Sequence, residues 1–268
     1  MALRNVRIEV SYDGSRFYGW QRQDGFETVQ QSIEEALAEL LDTIVVIHGA
    51  GRTDTGVHGL RQVAHFHIDA PRIDDDRLRH ALNAHLPPGI AVRRAETCAD
   101  DFHARFHATG KRYAYVIQTT RFPPAIGREF VHWDRTSLDG AAMREAARRM
   151  EGERDFAAFG NVGSPRKSTV RRVDHVRLVM RRERFAIVVQ GNGFLYNMVR
   201  TMAGTLLAVG KGRMTPDDVT RALESRDRKL AGPTAPPNGL YMVRVLYPER
   251  PFVGREQGPG DPPGPLQY

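Results

Sequence analysis

Gly49-Ala50-Gly51-Arg52-Thr53-Asp54-Thr55-Gly56-Val57-His58-Gly59 joins two stretches of strand character, and its reading decides how the chain is understood. Before it, Ile44 to Ile47 form a short β-branched run. After it, Ala64, Phe66 and Ile68 alternate at the period of a strand. A connection between two strands is ordered. Its four glycines admit positive φ and let a second backbone, or a ligand, come close. Asp54 is held in this loop beside Arg52. Such an aspartate is either a reactive carboxylate or a turn stabiliser, and the loop alone leaves both readings open.

Working outward, Val6, Ile8, Val10 and Tyr12 alternate with polar residues as in a half-buried strand. Thr28-Val29-Gln30-Gln31 resembles a capping box opening a helix with Val29, Ile33, Leu37 and Leu40 or Leu41 on one face. Asp74 to Leu86 predicts a second helix, closed by Pro87-Pro88-Gly89. A similar order follows downstream. Tyr113, Tyr115 and Ile117 alternate in a strand, and Leu138 to Met150 makes an arginine-rich helix. Val170 to Val179 and Phe185 to Val189 form a strand pair, and an apolar helix runs from about Phe194 to Val209. A capped helix opens at Thr215-Pro216, and a strand runs from Leu240 to Tyr247. This alternation predicts an α+β fold in two comparable halves. Residues 1–109 carry the Asp54 loop, 110–248 form the second subdomain, and 249–268, rich in Pro, Gly and charge, form a flexible tail.

The 268 residues carry 39 basic and 32 acidic side chains, a net charge of +7, and 35 of the basic residues are arginine. Surplus positive charge favours a polyanionic partner, and arginine's fork suits phosphate, although a GC-rich genome gives the same bias. No apolar run reaches the ~20 residues of a membrane helix, and the N-terminus has no signal core, so a cytoplasmic location is expected. The single cysteine, Cys98, rules out an internal disulfide framework and Cys-based zinc fingers. His65 and His67 have metal-ligand spacing with His58 nearby, but no third ligand is apparent. Gly204 to Lys211 has the wrong spacing for a phosphate loop. No Gly-x-Ser-x-Gly elbow occurs.

Gly51-Arg52-Thr53-Asp54-Thr55-Gly56-Val57-His58 resembles the catalytic signature of the TruA-type tRNA pseudouridine synthases. The likeness extends to Tyr12-Asp13-Gly14, Phe17-Tyr18-Gly19-Trp20-Gln21, Thr28-Val29-Gln30 and Gln62 to Phe66. Asp101-Phe102-His103-Ala104-Arg105-Phe106, Lys111 to Tyr115, Asn192 to Arg200 and Gly239-Leu240-Tyr241 follow in order, covering residues 6 to 248. Thr55 stands where many relatives carry alanine.

The resemblance implies two ferredoxin-like subdomains with a central, mostly antiparallel sheet and a basic cleft between them. It implies an isomerase, an intramolecular transferase that turns uridine into pseudouridine in the anticodon stem-loop of tRNA, at positions 38–40. No cofactor, metal or membrane is implied, and the partners are tRNA and a second copy of the chain in a homodimer. It makes Asp54 the catalytic carboxylate, Arg200 the cation that holds it ionised, and Tyr113 the ring that stacks on the target base. Read without the resemblance, Tyr113 is a core residue of its strand. Arg52 is expected to bind a phosphate or orient the loop, and Leu240 to line the base pocket. Arg144, Arg148, Arg149 and the arginines from Arg166 to Arg184 are candidate RNA contacts. The alternative from a different class is a catalytically silent tRNA-binding protein or RNA chaperone, which has no need of Asp54. A glycosidase needs a second placed acid, and none is evident.

Overall fold

A computed structural model describes residues 3–69, 73–161, 168–249 and Phe252. Among them are ten strands, mostly antiparallel, and five α-helices, so the fold is α+β. The chain divides into two compact units. The first runs to Thr109 and takes back the chain from Met242, and the second is Gly110–Tyr241. The final strand, which the sequence pattern assigns to the second half, therefore lies mainly in the first.

The first unit holds β1 (Arg4–Tyr12), α1 (Val29–Leu41), β2 (His48–Gly49), β3 (His58–Ile68), α2 (Asp75–His85) and β4 (Ile90–Thr97). β1 runs antiparallel between β3 and β4. Val6, Ile8 and Val10 point to one face, where Val29, Ile33 and Leu37 of α1 and Leu78 and Leu82 of α2 cover them completely. Truncating Ile8, Ile33, Leu37, Leu78 or Leu82 to alanine costs about 2–5 kcal/mol. Thr28 accepts the Gln31 N–H at 3.3 Å, but the Gln31 amide turns to Glu35, so only half of the expected capping box forms. Asp74 caps α2 through the Arg77 N–H at 2.8 Å.

Two expectations change here. Ile44 to Ile47 form no ladder, and strand pairing starts only at His48. The reason is that α1 side chains satisfy the backbone there: Glu34 accepts the Ile47 N–H at 3.1 Å and Gln30 donates to the Ile47 carbonyl at 3.3 Å. The polar face of β1 is also buried, not wet. Asn5 donates to the carbonyls of Ala99, Asp100 and Phe102, so the chain from Ala99 to Phe102 covers this end of the face. From the 249–268 stretch, Phe252 is buried as well. It accepts a bond from Arg94 and donates its N–H to Glu96 at 2.9 Å. The rest of that stretch beyond Glu249 lies outside the described residues.

The second unit holds β5 (Gly110–Gln118), β6 (His132–Trp133), α3 (Gly140–Arg149), β7 (Gly152–Asp155), β8 (Val170–Arg181), β9 (Arg184–Gly191), α4 (Met198–Gly210) and α5 (Pro216–Ser225). β9 lies antiparallel between β5 and β8, β7 pairs with β8, and the short β6 is parallel to β5. The strand β10 (Leu240–Leu246) begins in this unit and continues in the first. Thr215 and Asp218 form a reciprocal capping box on α5. The apolar helix starts at Met198, not Phe194, because Asn197 adopts φ 61° and breaks the helical run. Among the described residues no helix is long and apolar enough to cross a membrane.

Candidate active site

The loop between β2 and β3 is held from three sides by its own unit. Tyr12, at the end of β1, shares a 2.8 Å hydrogen bond between its hydroxyl and that of Thr53. Burial pushes the Tyr12 phenol well above its ordinary range, so it stays neutral there. The Trp20 N–H donates to the Thr53 carbonyl at 3.0 Å, and the Gly56 N–H donates to the Gly14 carbonyl at 3.1 Å. From β3, the Gln62 amide donates to the Gly51 carbonyl at 2.8 Å. The Val57 N–H closes the turn onto the Asp54 carbonyl at 3.1 Å. Thr53 is buried, Asp54 half-buried and Arg52 exposed. A carboxylate thus stands at the solvent edge of a loop whose backbone is fixed.

The clamp needs glycine at two contacts. A Cβ on Gly14 would lie 2.0 Å from the Val57 carbonyl oxygen. Gly19 has φ 84°, and a Cβ there would lie 2.6 Å from the Thr53 carbonyl oxygen. Tyr12, Gly14, Gly19 and Trp20 therefore form the frame of the Asp54 loop.

His58 closes the other end of the loop. Its Nδ1 lies 3.1 Å from the Gly14 N–H and 3.3 Å from Asp13 Oδ1. One nitrogen cannot accept from Gly14 and donate to Asp13 at once. The directed Gly14 N–H makes Nδ1 an acceptor. Burial pushes the Asp13 carboxyl up, and the hydrogen bonds it accepts from the Ser15 hydroxyl and N–H, at 2.7 and 3.0 Å, pull it below its ordinary range.

The second unit holds the other candidates. Tyr113 on β5 is buried, and its ring meets Phe194 edge-on with centroids 5.3 Å apart. Phe194 lies in the non-helical turn before α4, and periodicity, which ran the helix through it, hid this contact. Arg200 on α4 is half-buried. Its Nε donates to the Ala235 carbonyl at 2.8 Å, its Nη1 donates to Asn197 at 2.9 Å, and its carbonyl accepts the Ala235 N–H at 3.1 Å. The chain from Ala231 to Pro236 is thereby strapped onto α4. Gly204 and Gly232 allow the close approach: a Cβ on Gly204 would lie 1.8 Å from the Pro233 carbonyl oxygen. Leu240 is buried just after Gly239, where a Cβ would lie 2.8 Å from the Val116 carbonyl oxygen.

Of the candidate RNA-binding arginines, Arg149 is bound to Asp217 at 2.7 Å and Glu145 at 2.9 Å, and Arg172 to Asp174 at 2.9 Å. Arg144 and Arg148 are exposed, and Arg166 lies outside the described residues. His65 accepts the Ala104 N–H at 3.2 Å, which gives it a structural role. Among the described residues no group of His, Cys, Asp or Glu is arranged to hold a metal.

A family model described as tRNA pseudouridine synthase matches residues 8–107 and 146–248. Those segments contain Arg52, Asp54, Arg200 and Leu240, while Tyr113 falls in the gap between them. The chain is 43% identical to tRNA pseudouridine synthase A of Acetivibrio thermocellus, over 91% of its length and all of the relative's. It is 42% identical to that of Caldicellulosiruptor bescii over the same shares, and 41% identical to that of Alcanivorax borkumensis over 98% and 97% of the two chains. A solved Cbf5-Nop10-Gar1 complex aligns with 90% of this chain and 60% of its own at 13% identity and a TM-score of 0.34, which is too distant to carry an argument.

Proposed function

The chain belongs to the tRNA pseudouridine synthase family, and on that premise we propose that it isomerises uridine to pseudouridine in the anticodon stem-loop of tRNA with Asp54 as the catalytic carboxylate. The observation that carries this is the Asp54 loop itself: a half-buried aspartate on a backbone pinned by Tyr12, Trp20 and Gln62. A turn-stabilising aspartate needs no such frame. A group that must meet a sugar carbon in fixed geometry does.

The reaction breaks the C1′–N1 bond, turns the base and forms a C1′–C5 bond. The proton on C5 leaves and N1 gains one, so atoms and electrons balance without cofactor, metal or redox partner. The nucleotide must first leave the stack, because stacking hides C1′ and the base faces. Asp54 either attacks C1′ or removes the C2′ proton, and both routes require it ionised. The role of Arg200 is electrostatic: it keeps that carboxylate in its charged form. Tyr113, with its ring braced by Phe194, is the surface for the freed base. Arg52, exposed beside the carboxylate, is a phosphate contact, and Leu240 bounds the base pocket.

By the same resemblance the enzyme works as a cytoplasmic homodimer on one tRNA, which sedimentation with and without tRNA tests directly. The silent chaperone reading is weaker, since binding alone gives Asp54 no task. Incubating the purified protein with unmodified tRNA and mapping pseudouridine separates the two. The isomerase converts anticodon stem-loop uridines, whereas a chaperone binds the RNA and leaves every uridine unchanged.

A further inference from the structure

Four aromatic side chains occupy the segment from Phe17 to Phe26, and they part company. Phe17 and Trp20 are buried in the first unit's core, at 3% and 2% exposure, whereas Tyr18 and Phe26 stand out at 51% and 46%. The two exposed rings lie against each other, with centroids 4.6 Å apart and planes tilted by 45°. Their backbone is built, not loose. The Tyr18 N–H donates to the Glu27 carbonyl at 2.9 Å, the Gln23 amide to the Tyr18 carbonyl at 3.1 Å, and the Phe26 N–H to the Gln23 carbonyl at 3.3 Å. Gly25, with φ 79°, turns the tip.

This turn is tied to the Asp54 loop. Gly19, next to Tyr18, lies against the Thr53 carbonyl, which also receives the Trp20 N–H at 3.0 Å. The aromatic pair and Asp54 are therefore carried on one rigid frame. Arg52 precedes Thr53, is exposed, and has no ion pair or hydrogen bond with any described residue. Arg16 is also exposed, although it lies 3.6 Å from Asp13. Arg22 is committed to Glu34 at 2.9 Å, and Asp24 and Glu27 are exposed on the turn. Arg52, one residue before the Thr53 carbonyl on which Gly19 and Trp20 rest, is thus a cation of this frame not engaged by the described residues.

We propose that Tyr18 and Phe26 form a stacking platform for an unpaired nucleobase next to the target uridine, with Arg52 meeting the adjoining phosphate. With the planes tilted by 45°, one ring presents its exposed face to a base while the other braces it, and aromatic side chains stack on any unpaired base without reading its sequence. Extruding a uridine uncovers the faces of its former stacking neighbours, and a neighbour on the loop side is unpaired as well. The platform replaces the lost stack on one side and steadies the opened loop while Asp54 acts. The inference rests on the pseudouridine synthase reading and extends it to a binding surface outside the base pocket.

The test uses full-length enzyme and an unmodified anticodon stem-loop RNA, alone or with an abasic site on the 5′ or the 3′ side of the target uridine. Tyr18→Ala and Phe26→Ala should weaken binding of the intact RNA by roughly 5- to 150-fold, the loss of one stacked base. On one of the two abasic RNAs these variants should bind as wild type does, because the contact is already gone. Tyr18→Phe, which keeps the ring, should bind like wild type. Unchanged affinity in both alanine variants overturns the platform. So does an equal loss on all three RNAs, or a loss that follows a change in self-association on sedimentation, which would make the pair a protein contact. Melting curves of the alanine variants separate lost binding from lost folding. Wild type that forms no pseudouridine on the intact RNA removes the functional reading and the platform together. Wild type that forms it, with variants unaffected in binding, removes the platform alone.

Discussion

The backbone N–H of Trp20 donates to the carbonyl of Thr53 at 3.0 Å, so the residue immediately before Asp54 is fixed by a buried tryptophan of another segment. Gly19 makes this possible through its positive φ and its missing Cβ. Asp54 thus owes its placement to residues more than thirty positions earlier in the chain.

Gly19→Ala should therefore lower both stability and activity. At φ 84° an alanine is strained, and its Cβ would sit 2.6 Å from the Thr53 oxygen. A cost of about 1–3 kcal/mol is expected, with a further fall in kcat because Asp54 moves. Gly140→Ala is the control: its nearest neighbour would be Met180 Sδ at 3.6 Å, an ordinary contact, and thermal melting should show no loss.

Tyr113→Phe and Tyr113→Ala separate a stacking ring from a reacting hydroxyl. If the ring alone matters, phenylalanine keeps its edge contact with Phe194 and supports turnover, while alanine loses roughly 1–3 kcal/mol of stacking. If the hydroxyl assists removal of the C5 proton, phenylalanine stalls as well. Single-turnover rates at saturating tRNA measure this, and wild-type rates in both variants would leave Tyr113 as packing only.

Acidification should weaken the first unit through His65. Burial, with the nearby His103 and His48 rings, holds this imidazole down at about 4. Its Nδ1 accepts the Ala104 N–H, which requires the neutral ring. Between about 6.5 and 4 the unfolded chain binds a proton that the folded one refuses, so stability falls as pH drops through that window and levels off below it. The loss is on the order of 2–3 kcal/mol. Melting temperature against pH should show that slope, and His65→Gln should flatten it even if it lowers the whole curve.

How far the sequence led differs between elements. Alternation in β1 and helical spacing in α1 and α2 are strong local signals, and those elements form where expected. Ile44 to Ile47 carried the same strand signal, but Gln30 and Glu34 meet the backbone there, a long-range substitution that no local pattern contains. Asn197 ends a periodic apolar run because its backbone turns left-handed, which side-chain period does not register. The Asp54 motif was visible as residues. Its frame was not, because Tyr12, Gly19 and Gln62 reach it only in the fold.

Arg200 carries a charge prediction and a structural one. Arg200→Met keeps apolar bulk but removes the cation that the proposed mechanism assigns to Asp54. The folded-state pKa of Asp54 should rise, moving the acid limb of activity to higher pH by ~1–3 units, with partial recovery as pH increases. Arg200→Lys should fall between, since it keeps the charge but lacks the fork that reaches the Ala235 carbonyl and Asn197 together. An unchanged acid limb in Arg200→Met would remove Arg200 from that electrostatic role.

Asp54→Asn tests the central claim most directly, because it replaces one carboxylate oxygen and little else. With purified enzyme in excess over unmodified tRNA labelled with tritium at uridine C5, tritium release follows loss of the C5 proton, and base mapping follows the product. Wild type should release label and form pseudouridine in the anticodon stem-loop. Asp54→Asn should release none while binding the same tRNA within about tenfold of wild type, since phosphate contacts supply most of the affinity. Pseudouridine formed by Asp54→Asn at a rate near that of wild type would contradict the account.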